Sequence, residues 1–398
     1  MTERIYYEDA YCREFDGTII RVDERDGRTA VWLDRTGCYP TSGGQPYDTG
    51  TLGGHPLVDV TDEDAEVVHL VARTGEGPSP LAVGQVVRGV VDWTRRFDHM
   101  QQHTGQHILS AAIVRRWQVP TVSFHLGKES ATIDLARDLT PEQIAAAEDD
   151  ANRVVWEDRP VTVRYAEAGD AATLGLRKTS QRTGTLRLID VDGWDLSACG
   201  GTHVARTGGV GVISVRSWER FKGGQRVEFQ CGGRVLSTTR QLRDIVGAGV
   251  RLLSVLPAEL PGAIERLQGE LREQQRSVSG LRGELAGHQA AAYAAAAETI
   301  GGARAVLRAV DADAALLKTL ATAIVAQPGL LTVLVSTATP ALVAVARSKD
   351  VERACDAIVK GLTASFGGRG GGRPDFAQAG GLAAPAEKIL ARVRDMLG

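Results

Sequence analysis

Residues 98–117 read DHMQQHTGQHILSAAIVRRW, and this stretch decides the fold of the chain around it. From residue 100 onward its apolar residues recur at helical spacing, which predicts an amphipathic helix. The positions that define this stripe are Ile108, Leu109, Ala112 and Ile113. His103 and His107 are four residues apart and therefore lie on one face of that helix, about 6 Å from each other. Both imidazoles can reach one ion, so the helix carries half of a candidate metal site.

A second motif, Cys199-Gly-Gly-Thr-His203, supplies the other half. Its two glycines let the backbone bend without a Cβ penalty, so the thiolate and the imidazole can point at one position. Imidazole with a single thiolate suits zinc, and we predict a Zn²⁺ site formed by His103, His107, Cys199 and His203. A zinc protease of the HExxH type requires Glu after its first His, and here Thr104 follows. A peptidase is therefore not expected.

The composition is that of an ordinary globular protein. The 398 residues, 43% apolar and 24% charged, are enough for two or three domains. No run of about 18 apolar residues occurs and the first residues are polar, so we expect neither a membrane span nor a secretory signal. Five scattered cysteines favour a reducing cytoplasm over a disulfide framework.

Charge gives a local signal and no global one. The net charge is −3, so the charge of the chain as a whole does not indicate nucleic acid binding. Basic residues are concentrated between residues 205 and 234, where they form either a solvated strand face or a track for backbone phosphates. They are Arg206, Arg216, Arg220, Lys222, Arg226 and Arg234.

Residues 1–92 consist of short segments in which apolar and polar residues alternate between Gly, Asp and Pro turns. This pattern predicts a small antiparallel β-barrel. The Gly- and Pro-rich segment 38–48 is either a surface connection or a ligand loop. In the second case Gly43 and Gly44 would let backbone N–H groups approach a ligand closely. The polar residues that would then contact it are Thr41, Ser42 and Gln45.

Residues 93–240 alternate strands with two long helices, which predicts an α+β layer that carries both halves of the metal site. The second helix is predicted from about Pro141 to Asp158, with Thr140 as its N-cap. His125 lies at the end of a predicted strand, where it is either a pocket residue or a satisfied core histidine.

The C-terminal part begins with a heptad pattern over residues 258–300, which indicates a coiled-coil hairpin, a dimer seam or a single helix packed on another domain. Its heptad positions are Ile264, Leu267, Leu271, Gln274, Val278, Leu281 and Leu285. Gly301 and Gly302 are predicted to end the helix. Residues 301–398 read as an α/β domain with a Gly-rich loop over 367–381, either a flexible linker or a phosphate or RNA contact.

These motifs together resemble a known family. The segments TSGGQPYDTG, MQQHTGQHILSAA, CGGTHV and KGGQRVEF are similar to the editing domain of alanyl-tRNA synthetases and, more closely, to the freestanding AlaX-type alanyl-tRNA editing proteins. This resemblance covers roughly residues 1–235. The heptad helix and the segment GGRGGGRPDFAQAGG resemble the C-terminal domain of those synthetases, which implies the long AlaX form. One departure is Ser42, where many relatives have the first of three glycines.

The resemblance implies a cytoplasmic aminoacyl-tRNA deacylase, a carboxylic ester hydrolase that cleaves tRNA(Ala) wrongly charged with Ser or Gly. Thr41, Gln45 and His125 are then the candidates for lining the pocket around the ester. A zinc ion could lower the pKa of a bound water and polarise the carbonyl. However, four protein ligands are typical of structural sites. Either Cys199 or His203 is a loose ligand, or the zinc mainly holds the substrate and the pocket.

Other functions remain as alternatives. A non-catalytic, zinc-stabilised tRNA-binding protein would bind tRNA without turnover. Phosphoesterase activity is disfavoured because it needs a carboxylate-rich metal centre. A complete synthetase is not expected, since no ATP-binding catalytic region precedes residue 1. The expected partner is tRNA(Ala), with no membrane, and the C-terminal region allows a homodimer.

The expected architecture is therefore α+β in four parts. These are a β-barrel (1–92), a zinc-bearing editing domain (93–240), a coiled-coil helix (258–300) and an α/β domain with the Gly-rich loop (301–398).

Overall fold

The computed structural model describes residues 1–63, 66–72, 81–170, 174–178 and 184–398. These residues form two compact units, Met1–Ala248 and Gly249–Gly398. Helices and several sheets occur in both, so the predicted α+β class is confirmed. The finer division into four parts remains a prediction.

The first unit contains all the residues of the candidate metal site. Its elements in chain order are β1 (Glu3–Arg4), α1 (Ile5–Glu8), β2 (Glu14–Arg25), β3 (Arg28–Leu33), β4 (Arg35–Thr36), β5 (Gly50–Leu52), β6 (His55–Glu63), β7 (Glu66–Val71), β8 (Val86–Val91), α2 (Trp93–Trp117), β9 (Thr121–Leu126), β10 (Ala131–Leu135), α3 (Pro141–Trp156), β11 (Val161–Glu167), β12 (Thr185–Val191), β13 (Asp195–Ala198), β14 (Ile213–Phe221) and β15 (Gly224–Cys231). A further helix, α4 (Gly233–Leu253), runs across the boundary between the units.

Six antiparallel strands form a closed barrel in the order β2-β3-β7-β6-β5-β8. Closure leaves no free strand edge and turns one face of every strand inward. The inward residues are aliphatic, among them Leu33, Leu52 and Val60, each fully buried. The segment between β4 and β5, residues 37–49, leaves this barrel and reaches the candidate metal site.

A four-stranded sheet of order β14-β15-β10-β9 packs beside helices α2 and α3 around one apolar core. Helix α2 begins after Asp92, whose carboxylate accepts a hydrogen bond from Arg95 N, and it starts seven residues before the predicted Met100. The predicted capping of α3 by Thr140 is confirmed, because Thr140 and Gln143 bond each other's backbone N–H groups. A three-stranded sheet has the order β11-β12-β13, and Cys199 directly follows its last strand.

The second unit is a long helix followed by a six-stranded mixed sheet of order β16-β17-β18-β19-β21-β20. Its elements are α5 (Leu260–Ala295), β16 (Glu298–Ile300), β17 (Ala303–Val310), α6 (Ala314–Ile324), β18 (Leu330–Ser336), β19 (Ala341–Arg347), α7 (Cys355–Phe366), β20 (Arg369–Gly372), β21 (Phe376–Leu382) and α8 (Ala386–Leu397).

Two sequence predictions for this unit are wrong. Helix α5 ends at Ala295, and Gly301 and Gly302 form the turn of the β16–β17 hairpin instead of the helix end. The Gly-rich segment 367–381 is not a loop, because β20 pairs with β21 in an antiparallel hairpin. Pairing uses backbone groups alone, so a run of glycines can form a strand once a neighbour with buried apolar residues is in place.

Among the described residues no single helix is long and apolar enough to cross a membrane; only the bent pair Gly233–Leu253 and Pro257–Ala295 meets that criterion, taken together.

A buried histidine in the barrel predicts acid sensitivity of the first unit. His69 is fully buried, with Nε2 2.8 Å from Thr36 Oγ1 and Nδ1 3.1 Å from Val31 O. Burial lowers its pKa to about 4. Between its unfolded pKa of about 6.5 and 4, the unfolded chain binds a proton that the folded chain does not, so stability falls as the pH falls.

We expect protonation of His69 in the unfolded chain to lower the unfolding free energy by about 2 kcal/mol between pH 7 and pH 5. Urea unfolding followed by tryptophan fluorescence measures it in the full chain, because all six tryptophans lie between residues 32 and 218. His69→Gln should lose about 2 kcal/mol less over that interval than the unchanged chain. Equal losses in both proteins would contradict the assignment.

Candidate metal centre

Helix α2 and the turn after β13 bring four ligand side chains together. One donor atom from each of His103, His107, Cys199 and His203 lies within 4.8 Å of the others. Cys199 Sγ is 3.4 Å from His103 Nε2 and 3.3 Å from His203 Nε2. The three histidines are buried, and Cys199 as a whole residue is partly buried. The arrangement could hold a metal ion.

Each histidine in this cluster has its Nδ1 atom occupied by a side chain outside the cluster. His103 Nδ1 is 2.9 Å from Gln45 Oε1, His107 Nδ1 is 2.9 Å from Asp195 Oδ2, and His203 Nδ1 is 3.1 Å from Thr104 Oγ1. Such outer partners fix the orientation of a ligating ring and its tautomer. They leave each Nε2 free to act as a donor to an ion.

Asp195 is the charged member of this outer shell. It is buried, and its carboxylate accepts hydrogen bonds from Arg177 Nε at 2.6 Å and from Ser197 Oγ at 2.9 Å. Burial alone would raise its pKa, but the hydrogen bond from His107 and the charges of His107 and Arg177 outweigh burial and lower the pKa to about 2. Asp195 is therefore an anion that holds a proton on His107 Nδ1.

The cluster favours the anionic form of its cysteine. Burial raises the pKa of Cys199, but the neighbouring imidazoles of His103 and His203 lower it more, and it lies well below its usual range. Burial lowers the pKa of His203 to about 3. For His107 burial acts in the same direction, yet its bonds to Asp195 and Cys199 raise the pKa to about 9. A metal ion requires the thiolate and neutral imidazoles, so binding would release the Nε2 proton of His107.

Two glycines make the close packing of the site possible. An added Cβ on Gly201 would lie 2.2 Å from His103 Cε1, so any side chain there would displace the imidazole. Gly44 has a φ of +86°, and a Cβ on it would lie 2.6 Å from Phe124 O. The missing side chain of Gly44 therefore makes room for β9 and not for a ligand. Its neighbour Gly43 has open space around it and could still face a ligand.

The three predicted pocket residues occupy different positions. Gln45 is fully buried, where its amide bonds His103 and Thr202, so it supports the cluster from outside. Thr41 lies in the same segment between β4 and β5 but is exposed, and its Oγ1 accepts a bond from Tyr47 N at 3.2 Å.

His125 is exposed on β9, which contradicts the alternative of a satisfied core histidine. Adjacent strand residues point to opposite faces. The residue that reaches the cluster from β9 is Phe124, whose ring stacks on His103 at a centroid distance of 5.1 Å. The side chain of His125 therefore lies on the other face of β9 from Phe124, and its role in the pocket stays a prediction.

Several supporting residues were missed by sequence reasoning. Thr104 and Thr202 lie inside the two ligand motifs, so their position was a usable signal. Asp195 lies four residues before Cys199, but nothing in the sequence links it to His107. Phe124 and Arg177 could not be assigned these roles, because the roles depend on where β9 and residues 174–178 lie relative to the cluster.

The basic residues between 205 and 234 are largely neutralised within the chain. Four of them form ion pairs with carboxylates: Arg206 with Asp158, Arg220 with Asp138, Arg226 with Asp134 and Arg234 with Asp98. Arginines that already hold carboxylates are less available for phosphates, so the solvated strand face is the better supported interpretation.

Comparison with known proteins gives three findings. Residues 186–228 match the family model described as the threonyl and alanyl tRNA synthetase second additional domain. The chain is 34% identical to the alanyl-tRNA editing protein AlaX-L of Pyrococcus horikoshii over 296 residues, which cover 72% of each chain. It is 32% identical to the alanine–tRNA ligase of Pyrococcus abyssi over 401 residues, spanning 95% of this chain and only 42% of that one.

Among solved structures, the C-Ala domain of Aquifex aeolicus alanyl-tRNA synthetase aligns with 25% of this chain and 96% of its own, at 19% identity and a TM-score of 0.24. That score is too low to carry an argument about fold.

Proposed function

The chain belongs to the family of alanyl-tRNA editing proteins, and from this premise we propose that it is an aminoacyl-tRNA deacylase that hydrolyses Ser-tRNA(Ala) and Gly-tRNA(Ala) and spares Ala-tRNA(Ala). The observation that carries the proposal is the buried cluster of His103, His107, Cys199 and His203 in a member of that family. Its substrate class, an ester of tRNA, agrees with the cytoplasmic location expected from the sequence.

The ion we propose for the cluster is zinc. Three imidazoles and one thiolate suit Zn²⁺, and the outer partners Gln45, Asp195 and Thr104 are of the kind that orient zinc-binding histidines. When bound, a zinc ion would supply Lewis acidity toward the ester carbonyl. Cys199 is the ligand least enclosed by protein, since it is half-buried while the histidines are buried, so substrate would approach from its side.

The chain's own residues do the positioning. Gln45 holds His103 while bonding Thr202, and this links the barrel loop to the turn that carries Cys199 and His203. Asp195 keeps the His107 proton on Nδ1. Phe124, stacked on His103 and half-exposed, covers that imidazole from water on one side.

We propose Thr41 as the residue that reads the amino acid. Its hydroxyl oxygen accepts the bond from Tyr47 N, which leaves the hydroxyl hydrogen able to donate to the serine side chain of the substrate. A site that hydrogen-bonds a substrate hydroxyl discriminates against the analogue that lacks it, by about 1–3 kcal/mol, since alanine would leave a polar group unpaired.

Replacing Thr41 by valine tests this assignment, because valine keeps the shape and removes the hydroxyl. The ratio of Ser-tRNA(Ala) to Ala-tRNA(Ala) deacylation should fall about tenfold, the equivalent of about 1.4 kcal/mol. Deacylation of Gly-tRNA(Ala) serves as an internal reference. Thr61→Val, which changes a half-exposed threonine on barrel strand β6, is the control and should leave the ratio unchanged.

An unchanged ratio in Thr41→Val would move recognition to another residue, with Ser42 next to test. A protein that binds tRNA(Ala) and turns over none of the three substrates would favour the alternative function, a non-catalytic zinc-stabilised tRNA-binding protein.

The second unit offers a surface for a homodimer, which we propose as a coiled coil along α5. The 36-residue helix buries only four residues, all alanines, and its heptad side chains are exposed. Among them Leu271 is 56% exposed and Leu281 65% exposed. A regular apolar seam of this kind is matched best by a second copy of itself.

Sedimentation equilibrium tests the dimer. We expect a mass of twice 42.4 kDa for the unchanged chain and 42.4 kDa for Leu271→Glu/Leu281→Glu, because charges in the seam would be buried unpaired. The control Arg276→Glu lies outside the heptad positions and should remain dimeric. A monomeric unchanged chain at micromolar concentration would refute the proposal.

A further inference from the structure

The turn that carries Cys199 is held by a single guanidinium. Arg187, on β12, donates from one Nη to Cys199 O at 2.8 Å and to Gly201 O at 3.1 Å. Its Nε donates to Tyr7 O at 3.1 Å. The backbone adds a further bond, because Cys199 N donates to Arg187 O at 3.0 Å. Arg187 therefore holds the Cys199 residue by both its N–H and its carbonyl group.

This arginine differs from the other buried arginines of the first unit. The fully buried Arg96 and the partly buried Arg177 and Arg234 each bond a carboxylate. Arg187 is only 9% exposed, and among the residues that the structure describes no carboxylate forms an ion pair with it. A buried cation without an anion is unfavourable unless its hydrogen bonds are made elsewhere. Here backbone carbonyls accept them, and two of the three belong to the ligand turn.

The histidine ligands suggest why the turn needs such a support. Each imidazole is oriented by one outer side chain, as described above. The Cys199 sulfur accepts a bond from Gly201 N at 3.4 Å, and Gly201 is itself held by Arg187 through its carbonyl. Without that guanidinium the turn would lose the two side-chain donors that its carbonyls receive from Arg187.

We propose that Arg187 is the positioning residue for the thiolate ligand, the counterpart for Cys199 of what Gln45, Asp195 and Thr104 are for the histidines. It sets where the sulfur lies relative to the three imidazoles before an ion binds. The inference rests on the proposed metal centre. It concerns metal affinity and geometry, and Arg187 does not itself contact substrate or metal.

The test compares Arg187→Met, Arg187→Lys and the control Arg164→Met in the full chain. Arg164 lies on the neighbouring strand β11 and pairs with Asp190 at the surface. Zinc affinity is measured by competition with a chromogenic chelator, and ligand geometry by the visible absorption of the cobalt-substituted protein. Folding is checked independently by tryptophan fluorescence.

For Arg187→Met we expect zinc affinity to fall about 10- to 100-fold, the range found for outer-shell partners, together with an altered cobalt spectrum. The zinc affinity of Arg187→Lys should lie between those of Arg187→Met and wild type, because a single ammonium cannot span the carbonyls as the planar guanidinium does. The control should match wild type in both measurements. Loss of affinity with an unchanged cobalt spectrum would overturn the positioning role, since that role predicts a displaced sulfur.

A folded Arg187→Met protein with wild-type zinc affinity would also overturn the inference. If Arg187→Met does not fold, Arg187→Lys decides alone: wild-type affinity and spectrum in the lysine variant refute the proposal, and a weakened, spectrally altered site supports it. Failure of the unchanged chain to bind zinc would overturn the proposed metal centre itself. The two failures can be told apart: if the unchanged chain binds zinc and only the Arg187 variants show no effect, the metal centre stands and the role of Arg187 falls.

Discussion

Replacing Cys199 by serine or His107 by alanine is expected to remove the bound metal and to abolish deacylation. A structural zinc site contributes about 10–16 kcal/mol of binding free energy. If the ligands share this equally, the loss of one removes about 3–4 kcal/mol, which weakens binding about 100- to 1,000-fold. The loss of His107 also leaves the Asp195 carboxylate without a bond from that ring, which adds to the destabilisation of the site.

Elemental analysis of the purified variants measures the metal directly, and single-turnover deacylation of Ser-tRNA(Ala) measures the consequence. Cys12→Ser and His288→Ala are the matched controls, since both lie outside the cluster. We expect one equivalent of zinc per chain in the unchanged protein and in both controls. Full zinc stoichiometry in both Cys199→Ser and His107→Ala would refute the ligand assignment.

The ligand set was accessible from sequence because it depends on local geometry. Residues four apart on a helix share a face whatever surrounds the helix, so His103 and His107 could be paired before any fold was known. The Cys199–His203 turn is equally local. The sequence did not predict which distant residues contact the ligand histidines. The carboxylate behind His107 is 88 residues away and the amide behind His103 is 58 residues away.

The surroundings of the predicted pocket residues depended on the same long-range contacts. Gln45 was predicted to line the pocket because it follows two glycines in a polar loop, yet the fold of the barrel turns its amide toward His103. His125 was proposed from its place at the end of a strand and from the family resemblance, and the residue of β9 that contacts the cluster is its neighbour Phe124. In the second unit, backbone pairing made a strand from a glycine run that side-chain patterns could not identify. Tertiary context decided each of these positions.

A buried ion pair joins the loop that carries Gln45 to α2, the helix with the candidate ligands His103 and His107. Asp48 and Arg96 are both fully buried, and Arg96 Nε lies 3.0 Å from both carboxylate oxygens. The guanidinium also donates to Gly37 O at 2.6 Å and to Ala10 O at 3.0 Å. Arg96 lies seven residues before His103, about two helical turns, so pair and ligand lie on the same side of α2.

Asp48→Asn is expected to lower the unfolding free energy of the first unit by about 3–5 kcal/mol, because it leaves a buried guanidinium without its anion. The amide is close in shape to the carboxylate, so the loss measures charge and not volume. Urea unfolding followed by tryptophan fluorescence detects it in the full chain. Zinc affinity should fall as well, since the loop would no longer hold Gln45 against His103.

An exposed ion pair on the barrel provides the control. Arg88 and Glu14 are 64% and 50% exposed, and Glu14→Gln should change the unfolding free energy by no more than about 1 kcal/mol. A double variant, Asp48→Leu with Arg96→Met, removes both charges at once, and it should recover part of the stability that Asp48→Asn loses. It should not recover zinc affinity, because the bonds to Gly37 and Ala10 that align the helix are lost with the guanidinium. A loss of less than 1 kcal/mol in Asp48→Asn, or full zinc affinity in the double variant, would mean that the loop reaches His103 without this pair.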